Sequence, residues 1–260
     1  MDEPVLTHEQ TQRFAADGYL VVDGLFDAGF VGRTLDLARR DRGLAGRAKL
    51  NSNYEGEGKD TRLVYREKLE DDLYAAYVQS RRVLGPLQQL FGDRARHYYH
   101  LAMLKDPGTG GWQWHQDYGY HYKEFLFPDF ISVMVALEPA TPANGCLRVL
   151  RGSQRLGRLE HRSAGSQLAA DPDRLERALD RFEEVHCALD AGSVLFFHGN
   201  VLHASDANNS GSSRWSFVQA YIAAGNECVL PDVEARLSPP LAPWGDGRME
   251  EALEQHAARL

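Results

Sequence analysis

Trp112-Gln113-Trp114-His115-Gln116-Asp117-Tyr118 is the segment on which the interpretation of the chain depends. If the segment is extended, its side chains alternate between two faces, so His115 and Asp117 project the same way. An imidazole and a carboxylate on one face supply two of the three ligands of a 2-His-1-carboxylate Fe(II) site. The second histidine must come from elsewhere, and the best candidate is His203 in Leu202-His-Ala-Ser205. The sequence therefore predicts a metal site built from distant parts of the chain.

Composition limits the class of protein. The chain has 260 residues, 43% of them hydrophobic and 25% charged, which is typical of a globular protein with a sizeable core. The net charge of −8 argues against nucleic acid or an anionic membrane as the main partner. No secretory signal follows Met1, and no apolar run is long enough to span a membrane. Cys146, Cys187 and Cys228 form no CxxC pair, so we expect free thiols and a cytoplasmic location.

Capping signals and apolar spacing predict helices in the first third of the chain. These helices begin at the Thr7–Gln10 capping box and stop at Gly18, run from Asp27 to about Arg40, and run from Asp71 to Phe91 with a division at Gly85-Pro86. A strand is expected at Leu20–Val22. Residues 42–60 are rich in Gly, Asn and charge, so we interpret them as a loop.

Strands and turns dominate the sequence after residue 95. The predicted strands are 98–105, the segment around His115, the apolar run 130–137, then 146–150, 185–189, 193–197 and 215–222, with a hairpin turn at Asn144-Gly145. Helices are predicted at 171–182 and 249–260. This order predicts a mainly β fold with N-terminal helices and a double-stranded β-helix (jelly-roll) core. We expect one domain: a mostly helical layer at 1–95, the jelly-roll core at 96–225 with an insertion near 171–182, and a tail at 226–260.

The chain resembles the phytanoyl-CoA dioxygenase family of Fe(II)/2-oxoglutarate-dependent oxygenases over nearly its whole length. The matching motifs are Phe14-x-x-Asp-Gly-Tyr-Leu-Val-Val22, His115-Gln-Asp117, Asn144-Gly-Cys-Leu-x-Val149, Gly152-Ser153, Gly192-Ser-Val-Leu-Phe-Phe-His198, His203-x-Ser205 and Arg214. A lone His-x-Asp occurs by chance in many proteins, whereas this ordered set is highly specific.

The resemblance implies roles for individual residues. His115, Asp117 and His203 would bind iron, and Arg214 would pair with the distal carboxylate of 2-oxoglutarate, which together with O₂ would be the co-substrate. A guanidinium matches a carboxylate geometrically and stays charged when partly buried. The further co-substrate contacts that it implies are Ser205, Gln116 and, from the N-terminal half, Tyr65 or Lys68. Related halogenases lack the carboxylate ligand, so the presence of Asp117 favours hydroxylation or another oxidative outcome over halogenation.

Two groups of side chains have alternative interpretations. Aromatic residues between 112 and 127 could line a substrate cavity or belong to the core, and the tentative substrate contacts are Trp114, Tyr118, Tyr120, His121 and Arg158. The arginines at 148, 151, 155, 158 and 162 form either a solvated face or a clamp for an anionic group. His198, five residues before His203, is a rival ligand, although the spacing to Ser205 and Arg214 favours His203.

The expected function is the oxidation, by hydroxylation, of a small-molecule metabolite or natural-product intermediate. One alternative is the same chemistry on a protein- or carrier-tethered substrate. Others are a non-catalytic jelly-roll binding protein and a zinc hydrolase, and both leave Arg214 and Ser205 without a role. The sequence indicates neither the substrate nor the oligomeric state.

Overall fold

The computed structural model describes residues 6–51, 60–164 and 167–260. The helices are α1 His8–Asp17, α2 Ala28–Arg40, α3 Arg42–Arg47, α4 Leu73–Gln79, α5 Arg81–Phe91, α6 Asp117–His121, α7 Pro172–Leu179, α8 Pro231–Glu234 and α9 Asp246–Arg259. The strands are β1 Tyr19–Val22, β2 Lys49–Asn51, β3 Thr61–Arg66, β4 Ala95–Lys105, β5 Trp112–His115, β6 Phe130–Ala136, β7 Leu147–Leu150, β8 His161–Ala164, β9 Gln167–Ala170, β10 Glu184–Cys187, β11 Val194–His198, β12 His203–Ser205 and β13 Arg214–Ala223.

Two antiparallel sheets form the core. The larger has seven strands in the order β1-β11-β6-β13-β4-β3-β2, and the smaller has four in the order β10-β7-β12-β5. Met134, Leu195 and Val218 of the large sheet share one apolar cluster with Leu147 and Val149 of the small sheet, so the two sheets face each other. This arrangement is the jelly roll that the sequence predicts.

The helices cover the other face of the large sheet. Val133 and Val135 on β6 and Phe196 on β11 belong to the same apolar cluster as Tyr77 and Leu84 of the helical layer. Because both faces of β6 are covered, all seven of its residues are buried. The continuous apolar run 130–137 is therefore explained by its central position. The prediction of a single domain stays a prediction.

Among the described residues, no helix is both long and apolar enough to cross a membrane.

The first turn signals act as predicted. Thr7 caps α1 through a complete capping box with Gln10, and Gly18 ends the helix in the left-handed region at φ 79°. A Cβ atom at Gly18 would lie 2.3 Å from Gln154 Oε1 and 2.4 Å from a Val201 methyl carbon. The glycine therefore both ends the helix and leaves room for Gln154 and Val201, which pack closely against it.

The division of the segment 71–91 was predicted at the wrong residue. Pro86 lies inside α5, and the break between α4 and α5 falls at Ser80. There the backbone of Trp244 inserts: its N–H donates to Gln79 O at 2.7 Å, and its carbonyl accepts from Arg81 N at 2.9 Å. These bonds satisfy backbone groups that a continuous helix would have paired internally. The break therefore depends on residues far away in the sequence.

Two loop predictions also need correction. Asn144-Gly145 does turn the chain, with Gly145 at φ 72°, but it joins strands of different sheets and is not a hairpin. The predicted 42–60 loop begins with α3 and β2, while its residues 52–59 lie outside the described residues. In addition, the mostly helical first 95 residues contribute β1, β2 and β3 to the large sheet.

Candidate active site

Strand pairing brings His115 and His203 together. They are directly opposite each other in the antiparallel β5–β12 pair, and their ring centroids are 4.1 Å apart. Nδ1 of His115 is 2.6 Å from Gln113 O, and Nδ1 of His203 is 3.0 Å from Val201 O. A carbonyl oxygen requires a hydrogen on each Nδ1, so both Nε2 atoms are left as lone-pair donors. The strand pairing of the small sheet therefore positions two imidazoles whose Nε2 atoms are available as metal ligands.

Asp117 reaches the same point by a different route from the one predicted. The strand ends at His115, and Asp117 is the first residue of α6, so the alternation argument does not apply to it. Its Oδ1 nevertheless lies 3.6 Å from His115 Nε2 and 3.4 Å from His203 Nε2. Its Oδ2 accepts a hydrogen bond from the Ser132 hydroxyl, which orients the carboxylate.

The donor set fits a ferrous ion. The ligand atoms of His115, Asp117 and His203 all lie within 4.8 Å of one another, and no other such cluster occurs among the described residues. Burial and the neighbouring His203 lower the pKa of His115 to about 3, so its imidazole is neutral at pH 7. Burial alone would raise the pKa of Asp117, but His203 and its other partners hold it below its ordinary value. Two imidazoles and one carboxylate match the preference of Fe(II).

Arg214 lies in the large sheet, where β13 begins, and is 1% exposed. Its guanidinium contacts the sulfur atoms of Met134, at 3.8 Å, and Met103, at 3.4 Å, and its Nε has no hydrogen-bond partner. Burial lowers its pKa to about 10, so the group is still charged at pH 7. An isolated buried cation is costly unless an anion joins it, and this position therefore suits the carboxylate of a ligand.

Lys105 is a neighbouring residue that the sequence reasoning missed. It is opposite Arg214 in the β4–β13 pair and is fully buried. Its Nζ donates to Ser205 Oγ at 3.1 Å, to Gly145 O at 3.3 Å and to Asp206 O. Lys105 thereby ties Ser205 to the backbone at Gly145 and Asp206. The alternation of side chains along the strand could have identified it, because residue 105 lies on the same strand face as residues 101 and 103 of the cavity wall.

The triad, Ser205 and Arg214 line one cavity of about 450 Å³ between the two sheets. Its wall is Leu63, Tyr65, Tyr99, Leu101, Met103, Trp112, His115, Asp117, Tyr120, His121, Met134, Leu147, Gln167, Leu168, Phe197, His203, Ser205, Arg214 and Val218. Among the described lining residues, Asp117 and Arg214 are the only Asp, Glu, Lys or Arg side chains. The cavity thus combines a metal-binding triad, one buried cation and a mainly apolar wall.

Comparison with known proteins agrees with this site. The profile of the phytanoyl-CoA dioxygenase (PhyH) family matches residues 14–216. The chain belongs to this family. A probable alpha-ketoglutarate-dependent hypophosphite dioxygenase of Stutzerimonas stutzeri is 26% identical over 226 residues, covering 83% of this chain and 78% of the relative. Ectoine dioxygenase of Stutzerimonas stutzeri strain A1501 is 27% identical over 259 residues, covering 92% and 84%.

A solved structure shares the fold of this phytanoyl-CoA dioxygenase family member. The crystal structure of EctD from S. alaskensis with 2-oxoglutarate and 5-hydroxyectoine superimposes with a TM-score of 0.75 at 20% identity, covering 94% of this chain and 89% of that chain. The protein is an Fe(II)/2-oxoglutarate-dependent dioxygenase, as the family match and the His-Asp-His triad together indicate.

Several of the predicted contacts face the cavity of this dioxygenase. Arg214, Ser205, Tyr65, Tyr120 and His121 all line it. The Tyr65 ring lies 5.1 Å from that of Tyr99, which the sequence reasoning did not identify. His198 is not in the triad; its Nδ1 accepts from Asn200 N at 3.0 Å. The roles of the lining residues as ligands or contacts stay predictions.

Gln116 and Lys68, predicted to contact the co-substrate, do not line the cavity. The chain turns into α6 after His115, and the Gln116 amide points into a neighbouring loop region. There it donates to Gly157 O at 2.8 Å and to Asn200 O at 2.7 Å, and it accepts from Leu159 N at 2.7 Å. All its polar atoms are thereby used, which leaves none for a co-substrate. Lys68 follows β3 and is exposed outside the cavity.

Three of the tentative substrate contacts also lie elsewhere. Trp114 packs in a separate apolar cluster beneath Arg148, Tyr118 donates to Phe125 O at 2.8 Å, and the Arg158 guanidinium lies 3.5 Å from the centre of the Tyr122 ring. Four of the five arginines in the cluster pair with carboxylates and Arg155 donates to a backbone carbonyl, which favours the solvated-face interpretation. The partners are Glu184 and Asp206 for Arg148, Glu183 for Arg151, Gly152 O for Arg155, Glu160 for Arg158 and Asp171 for Arg162.

Proposed function

We propose that this enzyme hydroxylates an uncharged small molecule, a metabolite or a natural-product intermediate. 2-Oxoglutarate and O₂ would be consumed, and succinate and CO₂ released. The observation that carries the proposal is a single cavity that holds the triad of His115, Asp117 and His203 together with the unpaired cation of Arg214. Only a reaction that uses both a metal and an anionic co-substrate accounts for the triad and Arg214 in the same cavity.

Each residue has a role that follows from its surroundings. His115, Asp117 and His203 would hold the iron, and Ser132 and the two backbone carbonyls orient these three side chains. Arg214 would bind the distal carboxylate of 2-oxoglutarate, with the Ser205 hydroxyl as a second donor. When bound, iron and 2-oxoglutarate supply the power to oxidise a C–H bond with O₂. The apolar wall excludes water from the reacting centre.

The charges in the cavity favour an uncharged substrate. Asp117 and Arg214 cancel each other, and Fe²⁺ cancels the dianion of 2-oxoglutarate, so the loaded site is neutral. Among the described lining residues, no further Asp, Glu, Lys or Arg side chain is present to neutralise a substrate charge. Burial of an uncompensated charge in an apolar cavity is strongly unfavourable. We assign the substrate to the part of the wall that includes Leu63, Tyr99, His121 and Leu168, called the substrate end below. Its mainly apolar side chains suit a largely apolar molecule.

The shape of the site supports the small molecule over a carrier-tethered substrate. The cavity is lined from many directions, by residues of both sheets and of α6, whereas a tethered substrate favours a wide, flat mouth. The two relatives described above are also named for small molecules, hypophosphite and ectoine. A protein that only holds a metal would have no use for the costly unpaired cation of Arg214. The three cysteines are unpaired, which supports the proposal of a cytoplasmic location.

A spectroscopic experiment tests the metal and co-substrate assignments. Anaerobic addition of Fe(II) and 2-oxoglutarate should produce a weak visible charge-transfer band. The band should vanish in Asp117→Ala and His203→Ala, because each removes a ligand. His198→Gln is the matched control, since it alters a nearby histidine outside the triad, and it should keep the band. A band that survives in both ligand variants, or one that is absent from the parent protein, would refute the assignment.

Substrate class needs a separate experiment. A metabolite library divided into uncharged, anionic, cationic and zwitterionic compounds is screened for substrate-dependent succinate release, with Arg214→Met as the blank. We expect the active compounds to come from the uncharged set, with a hydroxylated product detected by mass spectrometry. Activity confined to charged compounds would overturn the substrate class while leaving the dioxygenase assignment intact.

A further inference from the structure

A hydrogen-bonded cluster behind the cavity wall has no part in binding iron or 2-oxoglutarate. It consists of Tyr98, His121, Glu124 and Arg236, and is called the Tyr98 cluster below. The Tyr98 hydroxyl lies 2.9 Å from His121 Nδ1 and 3.2 Å from Arg236 Nη2, and it is hydrogen-bonded to Glu124 Oε2. His121 is the only member of the cluster among the described lining residues of the cavity. The cluster thus connects the cavity wall to groups outside it.

The hydrogen bonds of this cluster determine which ring nitrogen of His121 carries a hydrogen. Glu124, 3.6 Å from Arg236 Nη2, is a carboxylate and can only accept, so the single hydroxyl hydrogen of Tyr98 lies between the two oxygens. Arg236 can only donate, and it uses one lone pair of the Tyr98 oxygen. His121 Nδ1 must therefore donate to the remaining lone pair. The second nearby oxygen, Glu124 Oε1 at 3.6 Å, also requires a hydrogen on Nδ1.

The remaining nitrogen of His121 is a hydrogen-bond acceptor in the neutral ring. The ring stacks on Phe130 with its centroid 5.7 Å away and the planes 12° apart, which fixes its orientation. Nδ1 faces Tyr98, which is 1% exposed and does not line the cavity, so the opposite edge of the ring meets the cavity. Among the described residues, none forms a hydrogen bond with Nε2. An acceptor is thus presented to whatever occupies the substrate end.

We propose that His121 Nε2 accepts a hydrogen bond from a hydroxyl or N–H group of the substrate. Tyr98, Glu124 and Arg236 are then positioning residues, because they hold the hydrogen on Nδ1 and so keep Nε2 an acceptor. The inference rests on the proposed function, since it concerns the substrate of that same cavity. It defines the substrate as an alcohol, a phenol or a compound with an uncharged N–H group such as an amide, with a largely apolar body. The methyl ether of such an alcohol leaves Nε2 unpaired and binds about tenfold or more weakly.

The first measurement is the tautomer of His121. Protein labelled with ¹⁵N-histidine is loaded with Zn²⁺ and 2-oxoglutarate, and the imidazole nitrogens are recorded at pH 8 by two-bond ¹H–¹⁵N correlation, with His121→Gln to assign the signals. We expect a protonated Nδ1 and an unprotonated Nε2. Tyr98→Phe should shift the ring towards a mixture of tautomers. A ring protonated on Nε2, or on both nitrogens, in the parent protein would overturn the inference.

The second measurement compares pairs of probes in which a methyl group replaces the donor hydrogen. Phenol and anisole, and cyclohexanol and methoxycyclohexane, are titrated into the same complex while the His121 Nε2 signal is followed. Each alcohol should bind at least about tenfold more tightly than its ether, and His121→Phe should abolish that preference. Equal affinities, a preference that persists in His121→Phe, or no binding by either alcohol would each count against the inference.

The two proposals fail separately. The visible band of the Fe(II)–2-oxoglutarate complex does not depend on the Tyr98 cluster, so it should remain in His121→Phe and Tyr98→Phe. If the parent protein gives no band, the proposed function fails. If the band is present but the tautomer or the alcohol preference is wrong, only the inference about His121 fails.

Discussion

Replacement of Arg214 by methionine should change stability and co-substrate binding in opposite directions. The guanidinium is buried without a carboxylate, and burial lowers its pKa from 12.5 to about 10. At about 1.4 kcal/mol per pKa unit, the buried charge costs the folded state about 3 kcal/mol. Between pH 10 and 12.5 the unfolded chain holds a proton that the folded chain lacks, so stability rises with pH there and the full cost is present at pH 7.

Methionine has a similar length, carries no charge and contacts Met103 and Met134 with apolar atoms. Because water enters the cavity when no ligand is bound, we expect a gain of about 1 to 3 kcal/mol for the ligand-free protein, or roughly 2 to 10 °C in Tm. The affinity for 2-oxoglutarate should fall by at least about 30-fold, since truncation of one partner of a buried charge pair costs about 2 to 5 kcal/mol.

Arg66→Met is the matched control. Arg66 is another buried arginine, but it pairs with Asp72 and, at 3.4 Å, with Glu70. Its removal leaves Asp72 without its partner and should lower stability by about 3 kcal/mol while leaving 2-oxoglutarate binding unchanged. Thermal unfolding without ligand, and calorimetric titration with 2-oxoglutarate in the presence of Mn²⁺, measure both quantities. An Arg214→Met protein that unfolds at a lower temperature than the parent, or that binds 2-oxoglutarate within about threefold of it, would refute the reasoning.

Three further changes test the surroundings of the site. Burial and the neighbouring Arg214 lower the pKa of Lys105 from 10.5 to about 6, so the unfolded chain holds one more proton between these values and stability rises with pH. In urea unfolding at pH 7 and 9, Lys105→Met should therefore reduce that slope by about 1.4 kcal/mol per pH unit, and an unchanged slope would contradict the assignment. Gly145→Ala places a Cβ atom 2.2 Å from Asp206 O and should lower the free energy of unfolding by about 3 kcal/mol. The control is Gly24→Ala, which also has a positive φ but open space around the Cβ position, and it should lower that free energy by about 1 kcal/mol. Similar losses in the two variants would be inconsistent with this account. Gln116→Leu should lower stability by about 2 kcal/mol and keep 2-oxoglutarate affinity within about threefold, whereas a large loss of affinity would restore the predicted contact.

Local signals in the sequence were sufficient for most elements. The capping box at Thr7, the N-cap at Asp27 and the apolar run at 130–137 each act through neighbours close in sequence or through simple alternation, and the structure has the corresponding elements. The approach of His203 to His115 was predicted because a jelly roll pairs distant strands. These features depend on few long-range details.

The missed features depend on contacts that no local pattern contains. The break at Ser80 is created by the backbone of Trp244, which lies more than 160 residues away. Gln116 is extended, with φ −121° and ψ 132°, so its side chain points away from the face of His115, and the predicted contact followed from the family resemblance alone. Lys105 is the last residue of a predicted strand, and its burial follows only from the chain that crosses at Gly145 and Asp206.

The two strand registers explain why the iron and anion ends of the cavity stay at a fixed separation. One register sets His203 opposite His115 in the small sheet, and the other sets Arg214 opposite Lys105 in the large sheet. Between them, residues 206–213 cross from one sheet to the other, and Asn208 ties this crossing to Lys105 O at 3.2 Å and to Ser212 O at 2.8 Å.

The substrate end has no such constraint. It is formed by β3 near the margin of the large sheet, by the five-residue helix α6 and by the separate β8–β9 pair. Side chains there can change without shifting the ladders that position the triad and Arg214. Backbone hydrogen bonds therefore fix the length of the dicarboxylate that the cavity accepts, while side chains on shorter elements determine which C–H bond faces the iron site. His121 lies where these two parts meet, at the end of the helix that Asp117 begins, so a hydrogen bond to its ring would locate the substrate relative to the triad.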